Sequence, residues 1–170
     1  MSRNLLPHIQ GSRRTITLER TFKATVEEVW DLWTTKNGIE SWWGPDGFVT
    51  EVHKIDLRPG GELAYSMIAV APDQMEFLKK AGMPATTPLR VTYTEVAPHR
   101  RLAYVSRADF IPGVEAYDVK TAVELHPVPD GVRMVITFDA MHDENWTNMA
   151  VMGWESQLRR FERVIEATRA

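Results

Sequence analysis

The stretch ATVEEVWDLWTTKNGIESWWGP, residues 24–45, decides the fold of this chain. It begins with Thr25 and, three residues later, Glu28, which is the spacing of a capping box at a helix N-terminus. Apolar residues then recur at helical spacing as far as Trp33, so that one face of the helix is suited to packing against other elements. The stretch therefore predicts an amphipathic helix that begins directly after Thr25.

The same stretch is rich in tryptophan. Four of the six tryptophans of the chain lie within residues 30–43. We expect Asn37-Gly38 to break the first helix and Gly44-Pro45 to end a second, short one. Trp42 and Trp43 are adjacent, so on a helical turn their side chains point about 100° apart. One of them is therefore expected to pack inward and the other to lie at the mouth of a cavity.

Period-two alternation flanks the helical stretch on both sides. Residues 15–22 alternate before it, which is typical of a half-buried strand. Compact turns such as Pro129-Asp130-Gly131 separate the later alternating segments, and strands joined so closely pair antiparallel. Those later strands are predicted near residues 48–56, 61–70, 88–97, 100–108, 114–126 and 131–140.

Two further helices complete the pattern. Proline near the start and glycine near the end indicate a short inserted helix at about residues 72–84. Residues 145–168 carry the apolar stripe of a long helix. The chain is therefore predicted to be an α+β protein in which an antiparallel sheet of about seven strands packs against a long C-terminal helix. A cavity between sheet and helix would be apolar with a few polar groups.

Length and composition narrow the function classes. The 170 residues favour one domain over residues 14–170, preceded by a flexible arm at 1–13. A net charge of −3 gives no basic field for nucleic acid, and the lack of cysteine excludes disulfides and thiolate sites. No stretch has the roughly 20 apolar residues of a membrane span, and no secretory signal is recognisable, so we expect a cytoplasmic protein without integral membrane association.

Metal and cofactor motifs are not found either. None of the five histidines has the spacing of a metal-ligand pair. Neither a P-loop nor a dinucleotide-binding glycine motif occurs. We therefore expect neither a metal nor a cofactor.

The candidate ligand-binding residues are the aromatic and methionine side chains on the inward phases of the strands and the last helix. Methionine adapts to loosely specified ligands, and a buried phenol needs a hydrogen-bond partner, which a ligand could supply. The alternative is that most of these side chains are ordinary core residues. The candidates are Trp43, Tyr65, Met67, Tyr93, Tyr104, Tyr117, Phe138, Met149 and Met152.

Two titratable residues are candidates for a general base. Glu95 shares the face of Tyr93 if that strand is regular, and a buried carboxylate there would need a partner such as Arg107 or Arg20. His53 lies at a strand end. The alternative for both is an exposed position without a catalytic role.

Several short motifs, taken in order, are similar to one known superfamily. The sequence resembles the helix-grip fold of the START, polyketide-cyclase and birch-pollen-allergen (SRPBCC) superfamily. Within it, the chain looks like the branch named for homology to the activator of the heat-shock-protein-ninety ATPase. The part of that activator that this chain resembles is its C-terminal domain. The motifs are ATVEEVW at 24–30, WWGP at 42–45, LRPGGE at 57–62, YTEVAPHRRL at 93–102, and Gly153-Trp154 with Leu158.

The resemblance implies a fold and three hypotheses for function. The fold is a curved sheet wrapped around the long helix, with two short helices after the first strand. The first hypothesis is a protein that binds a hydrophobic or amphipathic small molecule or lipid between sheet and helix. The second is a cyclase- or hydrolase-like enzyme, and the third a chaperone-associated or homodimeric interaction module. Fold alone does not choose between them.

Overall fold

The computed structural model describes residues 14–109 and 111–168, so the arm predicted at residues 1–13 lies outside the described residues. Within them the chain forms seven strands and four helices. The strands are β1 (Thr15–Phe22), β2 (Phe48–Ile55), β3 (Glu62–Ala69), β4 (Thr86–Ala97), β5 (Arg101–Ala108), β6 (Tyr117–Val128) and β7 (Gly131–Asp139). The helices are α1 (Val26–Thr34), α2 (Lys36–Trp42), α3 (Pro72–Lys80) and α4 (Glu144–Ala167).

All seven strands form one antiparallel sheet in the order β1-β7-β6-β5-β4-β3-β2. From β2 to β7 each strand pairs with the next one in the sequence, as the short turns predict. Strand β1 is added at the edge by pairing with β7. With the long helix α4 packed on the inner face, the predicted α+β helix-grip fold is confirmed.

The predicted capping box begins α1. The hydroxyl of Thr25 accepts a hydrogen bond from the Glu28 backbone N–H at 3.1 Å, and the Glu28 carboxylate accepts one from the Thr25 N–H at 2.9 Å. Two backbone donors that would lack a partner at the helix end are thereby satisfied. This prediction is confirmed.

The junction of α1 and α2 differs from the prediction, because Asn37-Gly38 does not break a helix. Thr35 is the C-cap of α1 and the N-cap of α2, and its hydroxyl accepts a hydrogen bond from the Gly38 N–H at 3.0 Å. A Cβ atom at Gly38 would lie only 2.3 Å from the carbonyl oxygen of Asp31. The glycine therefore permits a close approach of the two helices and lies in the first turn of α2.

The core lies where α1, α2 and the C-terminal half of α4 meet the sheet. The ring centroids of Trp33 and Trp42 are 4.6 Å apart, and those of Trp42 and Phe161 are 4.9 Å apart. The Trp33 indole N–H also donates to the sulfur of Met134 at 3.2 Å. Each of these side chains is almost fully buried, and burial of one such side chain contributes about 1.5–3 kcal/mol. The tryptophan-rich stretch thus packs both short helices, α1 and α2, against the sheet and against α4.

Candidate ligand cavity

A cavity of about 240 Å³ lies between the inner face of the sheet and the N-terminal half of α4. Its walls come from strands β3 to β7, from α4, from Met141 between β7 and α4, and from the residue that follows α2. The seventeen lining residues are Trp43, Tyr65, Met67, Leu89, Arg90, Val91, Tyr104, Ser106, Arg107, Ala108, Val119, Thr121, Phe138, Met141, Ala150, Trp154 and Gln157.

Aromatic rings form one side of the cavity. Phe138 and Trp154 stack with ring centroids 5.7 Å apart and planes inclined by 25°. Trp43 packs edge-on against Tyr65, with centroids 5.8 Å apart, and lies 6.0 Å from Tyr104. Such rings give a flat apolar ligand a large contact area at fixed geometry.

Tyrosine hydroxyls supply polar groups to the interior. Burial raises the pKa of the Tyr65 hydroxyl, an effect that a hydrogen bond from the Trp43 indole partly offsets. Burial also raises the pKa of Tyr104 well above its ordinary value, and Tyr65 and Tyr93 add to this, whereas a hydrogen bond with Thr121 opposes it. Both phenols lining the cavity therefore remain protonated at neutral pH and are available as hydrogen-bond donors.

Three polar side chains of α4 fix the loop that carries Trp43. The Gln157 side-chain oxygen accepts from the Gly44 N–H at 2.8 Å, and the Ser156 hydroxyl accepts from the Asp46 N–H at 2.9 Å. One nitrogen of Arg160 donates to the carbonyl oxygens of residues 44, 45 and 48, at 2.7, 3.1 and 3.0 Å. Burial lowers the pKa of this guanidinium. The loop, and the Trp43 ring with it, is held against α4.

Five of the predicted ligand-binding residues meet at the cavity: Trp43, Tyr65, Met67, Tyr104 and Phe138 all line it. As expected for adjacent tryptophans, Trp42 and Trp43 have different surroundings. Trp42 packs in the core, and Trp43 forms cavity wall. Trp43 is only 6% exposed, so the predicted position at the cavity mouth is wrong. Whether these residues bind a ligand stays a prediction.

Tyr93 and Tyr117 lie on the inner face of the sheet but do not line the cavity. The Tyr93 side chain is buried, and its hydroxyl has no hydrogen-bond partner among the described residues. The Tyr117 hydroxyl lies 2.9 Å from the Nδ1 atom of His142.

Met149 and Met152 do not face the sheet, so the predicted orientation is wrong. Their side chains are 50% and 70% exposed. Ala150, Trp154 and Gln157 line the cavity at spacings of four and three residues, which is one face of a helix. Met152 lies half a turn away from that face, and Met149 lies at its margin.

Glu95 and His53 both lie on the outer face of the sheet. A β-bulge between Tyr93 and Glu95 shifts the register, so that Glu95 does not share the face of Tyr93 as a regular strand would require. Its carboxylate accepts from Arg101 at 2.8 Å, and neither predicted partner is used. The His53 ring lies 2.8 Å from the Ser66 hydroxyl.

Several lining residues were not predicted from the sequence. Ala150 and Gln157 share the helix face of Trp154, so the helical period could have identified them. Arg90 and Arg107 occupy outward strand positions, and only the pairing of the strands explains why they reach the cavity.

Two further properties of the described residues bear on function. No group of three or more His, Cys, Asp or Glu residues is arranged to hold a metal ion within the described ranges. Among the helices of the described part, none has both the length and the apolar character needed to cross a membrane.

Comparisons with known proteins agree with this architecture. A family model described as activator of Hsp90 ATPase homolog 1-like protein matches residues 23–166. A solved structure from Chromobacterium violaceum is 26% identical, with a TM-score of 0.74 over 89% of this chain and 96% of the other. The structure of the AHSA1-like protein from Aeromonas hydrophila is 24% identical, with a TM-score of 0.69 over 91% and 94%. No curated protein matches the sequence.

Proposed function

The chain belongs to the family of activator of Hsp90 ATPase homolog 1-like proteins, and from this premise we propose that it binds a small, mostly apolar molecule in the cavity between the sheet and α4. The cavity carries the proposal, since apolar side chains line most of it and a few hydroxyl and amide groups can orient a ligand. This is the usual composition of a small-molecule site. The expected cytoplasmic location is part of the proposal.

The volume of the cavity limits the size of the ligand. A buried apolar cavity of about 150 Å³ binds benzene, and sites for drug-sized ligands begin at about 300 Å³. The 240 Å³ found here lies between these values. A substituted single ring or a short acyl chain fits it better than a complete lipid.

The lining residues support binding rather than catalysis. No Asp, Glu or His is among the described residues that line the cavity. Glu95 and His53, the two predicted general bases, lie on the other face of the sheet. The raised pKa values of Tyr65 and Tyr104 also disfavour a phenolate base at neutral pH. The third hypothesis, a chaperone or homodimer contact, concerns other surfaces and stays a prediction.

A substitution that fills the cavity tests the proposal. Ala150→Phe places a ring inside the cavity, whereas Met152→Phe on the exposed side of the same helix is the matched control. Small aromatic and short-chain compounds are titrated while the indole N–H resonances of Trp43 and Trp154 are followed by NMR. We expect the Ala150→Phe variant to bind about tenfold more weakly or worse, a loss of about 1.4 kcal/mol, and the control to bind as the wild type does.

Two results would contradict the proposal. One is that no compound of the panel shifts either indole resonance. The other is that the Ala150→Phe variant, with an unchanged circular dichroism spectrum, binds as well as the wild type.

A further inference from the structure

The cavity has an opening through the sheet, where β4 and β5 separate. These strands pair only as far as Val91 and Ser106. Strand β4 nevertheless continues along β3 as far as Thr86, and β5 continues along β6 as far as Ala108. Among the described residues, none of β5 therefore pairs with residues 86–90 of β4, and a gap lies between these parts of the two strands.

The gap connects the cavity with a groove on the outer face of the sheet. This groove has a volume of about 510 Å³. Four residues line both spaces: Tyr65, Leu89, Arg90 and Arg107. A ligand in the cavity can therefore extend one end to the solvent between β4 and β5.

The charge inside the opening has one sign. Of the seventeen described residues that line the cavity, Arg90 and Arg107 alone are charged. Each guanidinium offers five N–H donors in a planar arrangement that matches a carboxylate. The Tyr104 hydroxyl, which is hydrogen-bonded with Thr121, adds a polar group deeper in the cavity. The opening therefore offers hydrogen-bond donors and positive charge to an acceptor group of a ligand.

The carboxylates near the gap lie on its outer side, and their ion pairs with the arginines are exposed. Arg90 lies 3.7 Å from Glu62, beyond hydrogen-bond distance, and Arg107 donates to Asp118 at 3.2 Å. The two arginine side chains are 74% and 60% exposed, and exposed ion pairs of this kind contribute little. The titratable residues other than tyrosine and arginine that line the outer groove are His53, Glu62 and Asp109.

The geometry points to a small amphipathic carboxylic acid as the ligand, with its carboxylate between Arg90 and Arg107 in the gap and its apolar part toward Phe138 and Trp154. This inference rests on the proposed function, because it concerns the same cavity. It adds the class of ligand and the direction in which the ligand lies. The carboxylate stays near the solvent, where the cost of removing it from water is smaller than in a closed core.

A pair of probes with and without the charge tests the inference. 3-Phenylpropanoate and 3-phenylpropan-1-ol have the same ring and chain, and differ in the carboxylate. Both are titrated at low ionic strength, with detection by the indole resonances of Trp43 and Trp154. We expect the acid to bind about tenfold more tightly than the alcohol, the effect of one charge-assisted hydrogen bond at a partly exposed site. The preference should decrease as salt is added.

Variants locate the effect at the gap. In Arg90→Gln and Arg107→Gln the ratio of the two affinities should fall toward one, because the acid loses a charged partner that the alcohol does not have. Arg133→Gln removes an arginine on the outer face of β7, where it pairs with Glu19, and serves as the control that keeps the ratio.

The possible outcomes separate the inference from the function on which it rests. Equal affinities of the wild type for acid and alcohol, or a ratio that neither gap variant changes, would overturn the inference and leave the cavity as a binding site. Binding of neither probe, or binding that Ala150→Phe does not weaken, would overturn the proposed function and the inference together.

Discussion

Replacement of Tyr93 by phenylalanine should stabilise this protein, although a tyrosine is removed from its core. The side chain is 1% exposed, and its hydroxyl is buried without a hydrogen-bond partner among the described residues. A buried polar group that lacks a partner costs about 1–3 kcal/mol relative to the unfolded chain, where water satisfies it. Phenylalanine keeps the ring and removes this cost, but it also loses the packing contacts of the oxygen. We expect a net gain of about 1 kcal/mol in the free energy of unfolding.

The ionisation of the Tyr93 hydroxyl determines how this gain in stability depends on pH. Burial raises the pKa of Tyr93 above its unfolded value of about 10. Above pH 10 the unfolded chain loses this proton while the folded protein keeps it, so the unfolded state binds fewer protons and stability falls as the pH rises. The advantage of the Tyr93→Phe variant should therefore grow above pH 10, by at most about 1.4 kcal/mol for each pH unit.

Urea denaturation followed by tryptophan fluorescence measures these differences, and thermal melting checks them. A gain of 1 kcal/mol raises the melting temperature by about 2–4 °C in a protein of this size. Tyr104→Phe is the matched control, because its hydroxyl bonds with Thr121 and its loss should destabilise by about 1 kcal/mol. If Tyr93→Phe destabilises the protein by as much as this control does, the hydroxyl of Tyr93 has a partner and the reasoning is refuted.

Three other substitutions test the packing that shapes the cavity. Arg160→Met removes the donor to three carbonyl oxygens, so it should lower the free energy of unfolding by about 2–3 kcal/mol. It should also speed hydrogen exchange of the Trp43 indole N–H. The Arg159→Met control should have neither effect. Gly38→Ala should lower the free energy of unfolding, measured by urea denaturation, by more than about 2 kcal/mol, because the added Cβ atom would clash with the backbone of α1. Gly153→Ala should raise the free energy of unfolding by about 0.5–1 kcal/mol, because no described residue beyond the adjoining helix backbone lies within 4 Å of the added atom. Equal effects at the two glycines would contradict the described contacts.

The sequence was sufficient for the architecture because the deciding signals are local. The capping box at Thr25 and the alternation along β7 each depend on a few consecutive residues, and both are present as predicted. Short turns then dictate which strands are neighbours. The family resemblance, drawn from motifs such as WWGP at residues 42–45, agrees with the matched family model.

The candidate site was harder to predict, because it depends on which way each side chain points. One extra residue in β4 places Glu95 on the outer face of the sheet. No residue type in that segment predicts such a bulge. The position of Met149 and Met152 follows from the rotation of α4 about its axis, which is set by the packing of Phe161 and its neighbours. Arg90 and Arg107 reach the cavity because two strands separate, and that separation depends on the register of the sheet.

The position of β1 in the sheet has a consequence for how the chain folds. Strands β2 to β7 each pair with a neighbour in the sequence, so they can form as a series of local hairpins. Strand β1, in contrast, pairs Phe22 with Val132 and Thr15 with Asp139, more than a hundred residues away. Closing so long a loop is entropically costly and slows folding. During synthesis on the ribosome, β1 therefore stays without its partner strand until β7 has emerged, and the edge of the sheet is completed last.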